Sequence, residues 1–148
     1  MAIPRIAQIQ LTSLHRRQLY GIRRRALPHE GCALLLGRYI EKGLIARVVR
    51  IAEAENIARS ISSFEIDPEH QYCILMAAAK EGLEQVGIYH SHPAPPTPSA
   101  SDLEFMEFNP CVWVIDGIQK ERFRMKAYQL WQGFLISVGI QSISSKGR

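Results

Sequence analysis

His90, Ser91, His92 and Pro93, followed by Ser99 and Asp102, are the residues of this chain best placed to do chemistry. In an extended strand, residues i and i+2 share a face, so His90 and His92 point the same way and can converge on one cation. Neutral imidazole is a good zinc ligand and a carboxylate can supply a third bond. A fourth position is then left for water, whose pKa falls to ~7 on the metal. Asp102 is the natural third ligand, one turn into a helix that follows a loop stiffened by Pro95, Pro96 and Pro98. The same residues have a commonplace account. A His-x-His pair on a strand is often only structural, and a Ser with an acidic residue three positions on caps a helix and suits its dipole. Ser101 and Glu104 repeat that device in an alternative register. Capping and ligation are compatible roles for Asp102. A hydrolytic site also needs a base, and Glu30, between His29 and Gly31, reads on its own as a solvated loop carboxylate.

The elements that must position these residues follow from pattern. Residues 5–11 alternate as a short strand, and Ser13 is placed to cap a helix of about 14 residues that ends before Pro28. Leu19, Ile22 and Ala26 lie on its core face, and Arg16, Arg17, Arg23 and Arg24 form a basic stripe. The apolar block 31–40 suits a buried strand, Glu41-Lys42-Gly43 a turn, and 44–52 the return of a hairpin. After an irregular stretch, Asp67-Pro68 opens a helix with Tyr72, Leu75, Met76, Ala79 and Leu83 at helical spacing. Strands are expected over 85–92, 111–116, 122–131 and 134–141, with a second helix start at Ser99 or Ser101. His15 and His70 read as surface residues, and Trp113 and Trp131 as core or edge packing. The expected fold is α+β (mixed α/β): one central, mostly antiparallel sheet flanked by helices.

Composition limits the alternatives. At 148 residues the chain is the size of one domain, 1–148, with 142–148 expected to fray. Hydrophobic residues are 47% and charged residues 22%, so extensive disorder is excluded. Cys32, Cys73 and Cys111 are odd in number and form no Cys-x-x-Cys pair, which argues against a disulfide framework or thiolate zinc site. No apolar run spans a bilayer and no signal-like stretch follows Met1, so the expected location is cytoplasmic, with no membrane association. A net charge of +4 is too mild to name a partner.

Glu30 before a Cys-x-Leu-Leu-Leu-Gly strand, then His90-Ser-His92-Pro, then Ser99-x-x-Asp102, resembles the JAMM motif of the MPN+ metalloproteases. Phe64-Glu-Ile-Asp-Pro68 resembles the segment after the hairpin in small bacterial members. The resemblance runs from about residue 5 to about residue 135. It implies an MPN/JAMM-like (cytidine-deaminase-like) architecture. It implies that His90, His92 and Asp102 hold Zn2+, that Glu30 is the general base, and that Ser99 donates a hydrogen bond to the oxyanion. The chain departs from the pattern in one place: five residues, 94–98, separate Pro93 from Ser99 where six are usual. Ser99 and Asp102 are favoured over Ser101 and Glu104 because Asp is the family's ligand.

The reaction so implied is hydrolysis of a peptide or isopeptide bond at the C-terminus of a ubiquitin-like protein, of the sulfur-carrier type in the small bacterial members. Such a tail would add as a strand beside an exposed sheet edge. Two other readings stand beside it. One is a non-catalytic MPN-type scaffold that binds a protein partner. The other is a nucleic-acid binder using the arginine stripe, which is disfavoured because no stacking aromatics interleave with it. Sheet edges would permit a homodimer.

Overall fold

The computed structural model describes residues 3–145. Its elements run β1 (Gln8–Thr12), α1 (Ser13–Ala26), β2 (Cys32–Ile40), β3 (Ile45–Ala54), α2 (Pro68–Lys80), β4 (Glu84–Ser91), α3 (Ala100–Phe108), β5 (Val112–Gln119), β6 (Arg122–Trp131) and β7 (Phe134–Ile143). The strands hydrogen-bond in the order β1-β3-β2-β4-β5-β6-β7 and close into a barrel. Closure comes from β1, which pairs parallel with β3 over Gln8–Gln10 and parallel with β7 over Gln8–Thr12. The expected central sheet flanked by helices is therefore overturned: the sheet is a closed seven-stranded mixed barrel with three short helices. Residues 5–11 read as a strand, but their alternation carries no sign that both edges are used. The pairing of Gln8 with Gly139 spans nearly the whole chain and lies beyond any local pattern.

The barrel wall is packed on both faces, so β2 and β4 carry continuous buried runs over residues 32–37 and 86–91 instead of alternating ones. One face joins Leu11, Leu35, Tyr89 and Val114 to Leu19 and Ile22 of α1. The other joins Leu34, Ile88, Trp113 and Ile115 to Phe64, to Ala78 of α2 and to Met106 of α3. β7 runs through Ile143, two residues into the segment expected to fray, and residues 146–148 lie outside the described residues.

Several local expectations need correction. The α1 cap is Thr12, not Ser13, and its box is closed by His15: Thr12 Oγ1 accepts from the His15 N–H at 3.1 Å, and His15 Nδ1 accepts from the Thr12 N–H at 3.1 Å. His15 is thus buried. Arg23 leaves the basic stripe for the interior, 4% exposed, because Asp116 offers it a buried carboxylate. On α2, Tyr72 (63% exposed) and Met76 (47%) face outward. The helix meets the barrel through buried Ala78, with Ile74 and Leu75 alongside, because a small residue lets it approach closely.

The second core face also holds two thiols. Burial pushes Cys32 up to about 12, helped by the Glu30 and Glu53 carboxylates, and pushes Cys111 up to about 11 against an ordinary 9.0. A thiol whose folded value exceeds its unfolded one contributes stability that is complete below pH 9 and is lost as pH climbs through 11–12. Calorimetry is expected to show the melting temperature falling above pH 9, with a shallower fall in C32A/C111A. Equal slopes in the two proteins would refute this.

Candidate metal centre

The centre is assembled from the mouth of β2, the end of β4 and the start of α3. Glu30 immediately precedes β2, whose Cys32 stands opposite His90 of β4. Ser91 fastens these strand ends together: its N–H donates to the Gly31 carbonyl (2.9 Å) and its Oγ accepts from the Gly31 N–H (2.8 Å). The side chains of His90 and His92 then fall on the opposite face of the strand from Tyr89 and Ser91, as a period of two requires. Asp102 is the N3 residue of α3. Ser99 is the cap: its Oγ accepts from the Asp102 N–H at 3.1 Å, and its own N–H donates to Asp102 Oδ2 at 2.9 Å. The cap therefore aims the carboxylate. Glu104, the acid of the alternative register, is exposed.

Four buried side chains converge. His90 Nε2 and His92 Nε2 are 2.8 Å apart, and Asp102 Oδ2 lies 3.2 Å from the first and 3.1 Å from the second. Glu30 Oε1 stands 3.9 Å from His90 Nε2 and has no hydrogen-bond partner among the described residues. Ligand atoms of Glu30, His90 and His92 all lie within 4.8 Å of one another. A tetrahedral ion with bonds of about 2.0–2.1 Å spaces its ligand atoms by about 3.3 Å, so this donor set fits one zinc-sized cation. His92 Nδ1 lies 3.1 Å from the Pro95 carbonyl, and donation there orients the ring so that Nε2, which faces Asp102 here, could turn its lone pair to a metal once it gives up its proton. His90 is fixed instead by packing, stacked on Phe64 (centroids 4.5 Å) and edge-on to Trp113 (5.7 Å).

Electrostatics separate the roles. Burial pushes the Glu30 carboxyl up to about 7, with the Asp102 charge adding and His92 opposing. Burial also raises the cost of ionising Asp102. Hydrogen bonds to His90 and His92 outweigh that and hold its carboxyl well below the usual range. His90 is lowered by burial, whereas at His92 the bonds to Asp102 and to the Pro95 carbonyl overcome burial and raise it. One carboxylate thus favours its charged, ligating form, and the other can hold a proton near neutrality.

The loop 93–98 is gripped from β5 and β6. The His92 N–H donates to the Asp116 carbonyl at 2.6 Å, the Ile118 N–H to Ala94 at 2.9 Å, and the Tyr128 hydroxyl to Pro96 at 2.9 Å. Gly117 lies flat against this loop, where a Cβ would meet the Ala94 carbonyl oxygen at 2.4 Å and backbone atoms of Pro95 and Pro96 at 2.7 and 2.5 Å. Gly117→Ala is expected to push the loop outward and, should the centre hold a divalent ion such as zinc, weaken its binding by about tenfold, the lower end for a disturbed supporting residue. A zinc titration within twofold of wild type would count against that role.

The sequence pointed to the five motif residues but not to this supporting shell. Asn56, in the irregular segment, donates to the Glu30 carbonyl (2.8 Å) and the Ser63 carbonyl (3.2 Å), and accepts from the Ala58 and Glu65 amides. Nothing in its local pattern marks it. A cleft of about 320 Å³ opens beside Glu30, bounded by Arg25, His29, Glu53 and Asn56. A second of about 240 Å³, lined by Phe64, Ile66, Phe105 and Trp113, opens behind His90.

Fold and site together define a small barrel protein whose buried His–His–Asp set, with an adjacent carboxylate, is suited to one divalent cation. The family model described as prokaryotic homologs of the JAB domain matches residues 12–131, and the chain belongs to that family. It is 41% identical over 87 residues to a desampylase of Pyrococcus furiosus, an alignment covering 58% of each protein. It is 35% identical over 112 residues to a desampylase of Haloferax volcanii, covering 72% of each. The chain thus spans under two thirds of the Pyrococcus protein's length. Among solved structures, a Desulfitobacterium hafniense protein superposes with a TM-score of 0.81 at 28% identity, covering 93% of this chain and 94% of that one. A Salinibacter ruber protein gives 0.62 at 29%, covering 88% and 90%. Among the described residues, no helix is long and apolar enough to cross a membrane.

Proposed function

We propose that this chain is a zinc-dependent hydrolase of peptide or isopeptide bonds at the C-terminus of a ubiquitin-like protein of the sulfur-carrier type. The observation that carries the reading is the convergence of two imidazole Nε2 atoms and Asp102 Oδ2 within 3.2 Å, beside the unpartnered, buried Glu30 Oε1. The relatives named desampylase support this reading.

His90, His92 and Asp102 would hold the ion. When bound, it polarises the scissile carbonyl and makes a water acidic enough to attack near neutral pH. Glu30, unpartnered and pushed up to about 7, takes that water's proton and delivers it to the leaving amine. Ser99 keeps its hydroxyl proton while its lone pair receives the Asp102 N–H, and that proton serves the developing oxyanion. An extended tail would have room to add beside β3. β1 pairs with β3 over Ile45–Arg47, so among the described residues β3 beyond Arg47 lacks a strand on that side, and it ends at Ala54 opposite Cys32, beside the centre.

The test is cleavage of a ubiquitin-like carrier bearing a short C-terminal extension, followed by mass spectrometry. Cleavage is expected after the carrier's terminal residue, to stop with a chelator and to return with added zinc. No cleavage of any carrier by the zinc-loaded protein would leave a protein-binding scaffold as the better account.

A further inference from the structure

A second buried polar unit lies on the opposite face of the same barrel wall. Arg23 of α1 and Asp116 of β5 form an ion pair at 2.9 Å, with side chains 5% and 3% exposed. The Tyr89 hydroxyl donates to the same Asp116 Oδ2 at 3.1 Å, and also lies 3.3 Å from the Leu19 carbonyl. The guanidinium carbon lies over the rings of Tyr20 and Phe123, 4.2 and 3.6 Å from their centroids, while its Nε has no hydrogen-bond partner among the described residues. Taking two charges out of water is expensive. A buried pair with an unsatisfied donor is a poor device for stability, since apolar residues of similar volume often do as well or better. Its position is more informative than its energy. Tyr89 is adjacent to His90. Asp116 stands opposite Ser91 in the β4–β5 register, its main-chain carbonyl receives the His92 N–H at 2.6 Å, and the two residues after it bear on the loop 93–98.

The geometry points to Asp116, clamped by Arg23 and Tyr89, as a positioning residue that sets the height of the His92 backbone and of the proline loop, and so the spacing of the His90–His92–Asp102 donor set. Unlike the five motif residues it touches no reacting atom. It acts by fixing the end of β5, to which the ligand-bearing strand end is hydrogen-bonded. This inference rests on the proposed metal centre for its consequence, but its first readout does not depend on a metal.

The experiment compares wild type with R23M/D116L, which replaces the pair by apolar groups of similar bulk. Melting temperature is measured, then amide hydrogen exchange at His92 and Ile118 in the metal-free protein, then zinc affinity by competition with a chromophoric chelator. A merely structural pair predicts that a double variant as stable as wild type is restored in every readout. Positioning predicts a melting temperature equal to or above wild type, exchange at both amides faster by at least about tenfold, and zinc binding weaker by about tenfold. On a cleavable carrier, kcat is expected to fall while KM holds. Exchange and zinc affinity within twofold of wild type would overturn the inference. If the double variant does not fold, Tyr89→Phe decides, since it removes one hydrogen bond to Asp116: faster His92 exchange in the folded protein supports positioning and unchanged exchange refutes it. If wild-type protein itself binds no zinc, the metal reading fails, whereas the exchange result still judges the clamp.

Discussion

Glu30→Gln is expected to lower kcat for carrier cleavage by about 10²–10⁴-fold, the range a positioned general base supplies, while zinc content stays at that of wild type. Gln keeps the shape and removes the ability to take a proton. Glu30 Oε1 is unpartnered, 3.9 Å from His90 Nε2 and outside the tight three-atom cluster, so the ligand set survives the change. The melting temperature is expected not to fall, because a neutral amide is buried more cheaply than a carboxylate. The combination is diagnostic: an active site emptied of chemistry but not of metal. Turnover within tenfold of wild type would remove Glu30 from the mechanism. Loss of zinc as well would make it a ligand, in line with its place among the clustered donors.

His92→Ala is expected to remove the ion. His92 supplies one of three converging donors, and its Nδ1 anchors the ring to the Pro95 carbonyl at 3.1 Å. Loss of a direct ligand should weaken binding by more than the 10–100-fold typical of supporting residues. Elemental analysis should find near-stoichiometric zinc in wild type and little in the variant. If the centre binds zinc as proposed, zinc at about 100 times its Kd would stabilise wild type by about 2.7 kcal/mol, a rise of roughly 5–10 °C in melting temperature for a chain of this size. His92→Ala is expected to show no such rise. Equal zinc content, or an equal shift, would mean that the three-donor centre is not where the metal sits.

The site was more legible than the fold. His90 and His92 follow from strand periodicity, and Asp102 from a cap motif that serves two purposes at once, because aiming a side chain at its own cap's N–H also aims it at the imidazoles. Glu30 was legible only through the resemblance. Alone before a strand it looks solvated, and the Gly31–Ser91 bonds that bury it join segments 60 residues apart. Non-local partners likewise hid Asn56, 26 residues from Glu30, and Asp116, 93 residues from Arg23. Strand and helix positions were mostly readable within a few residues, since apolar runs and turn residues are local. Barrel closure was not, nor was the outward turn of Tyr72 and Met76, because both depend on what another element offers across space. Arg23 shows the difficulty most clearly: spacing alone placed it with Arg16, Arg17 and Arg24 on a wet face, and one carboxylate on β5 drew it inside.

Closure of the barrel by its first and last strands bears on biosynthesis. Every proposed ligand has been polymerised by residue 102, yet β1 has three register partners on β3 and five on β7, which is made only after residue 133. The earliest strand must therefore wait for the latest. Contacts of such long range form slowly. A chain still emerging from the ribosome holds the full set of proposed metal ligands before the barrel that supports them can close. On the function proposed above, maturation of the hydrolytic centre would be tied to synthesis of β7, a timing under which a nascent copy would have little opportunity to cut other chains.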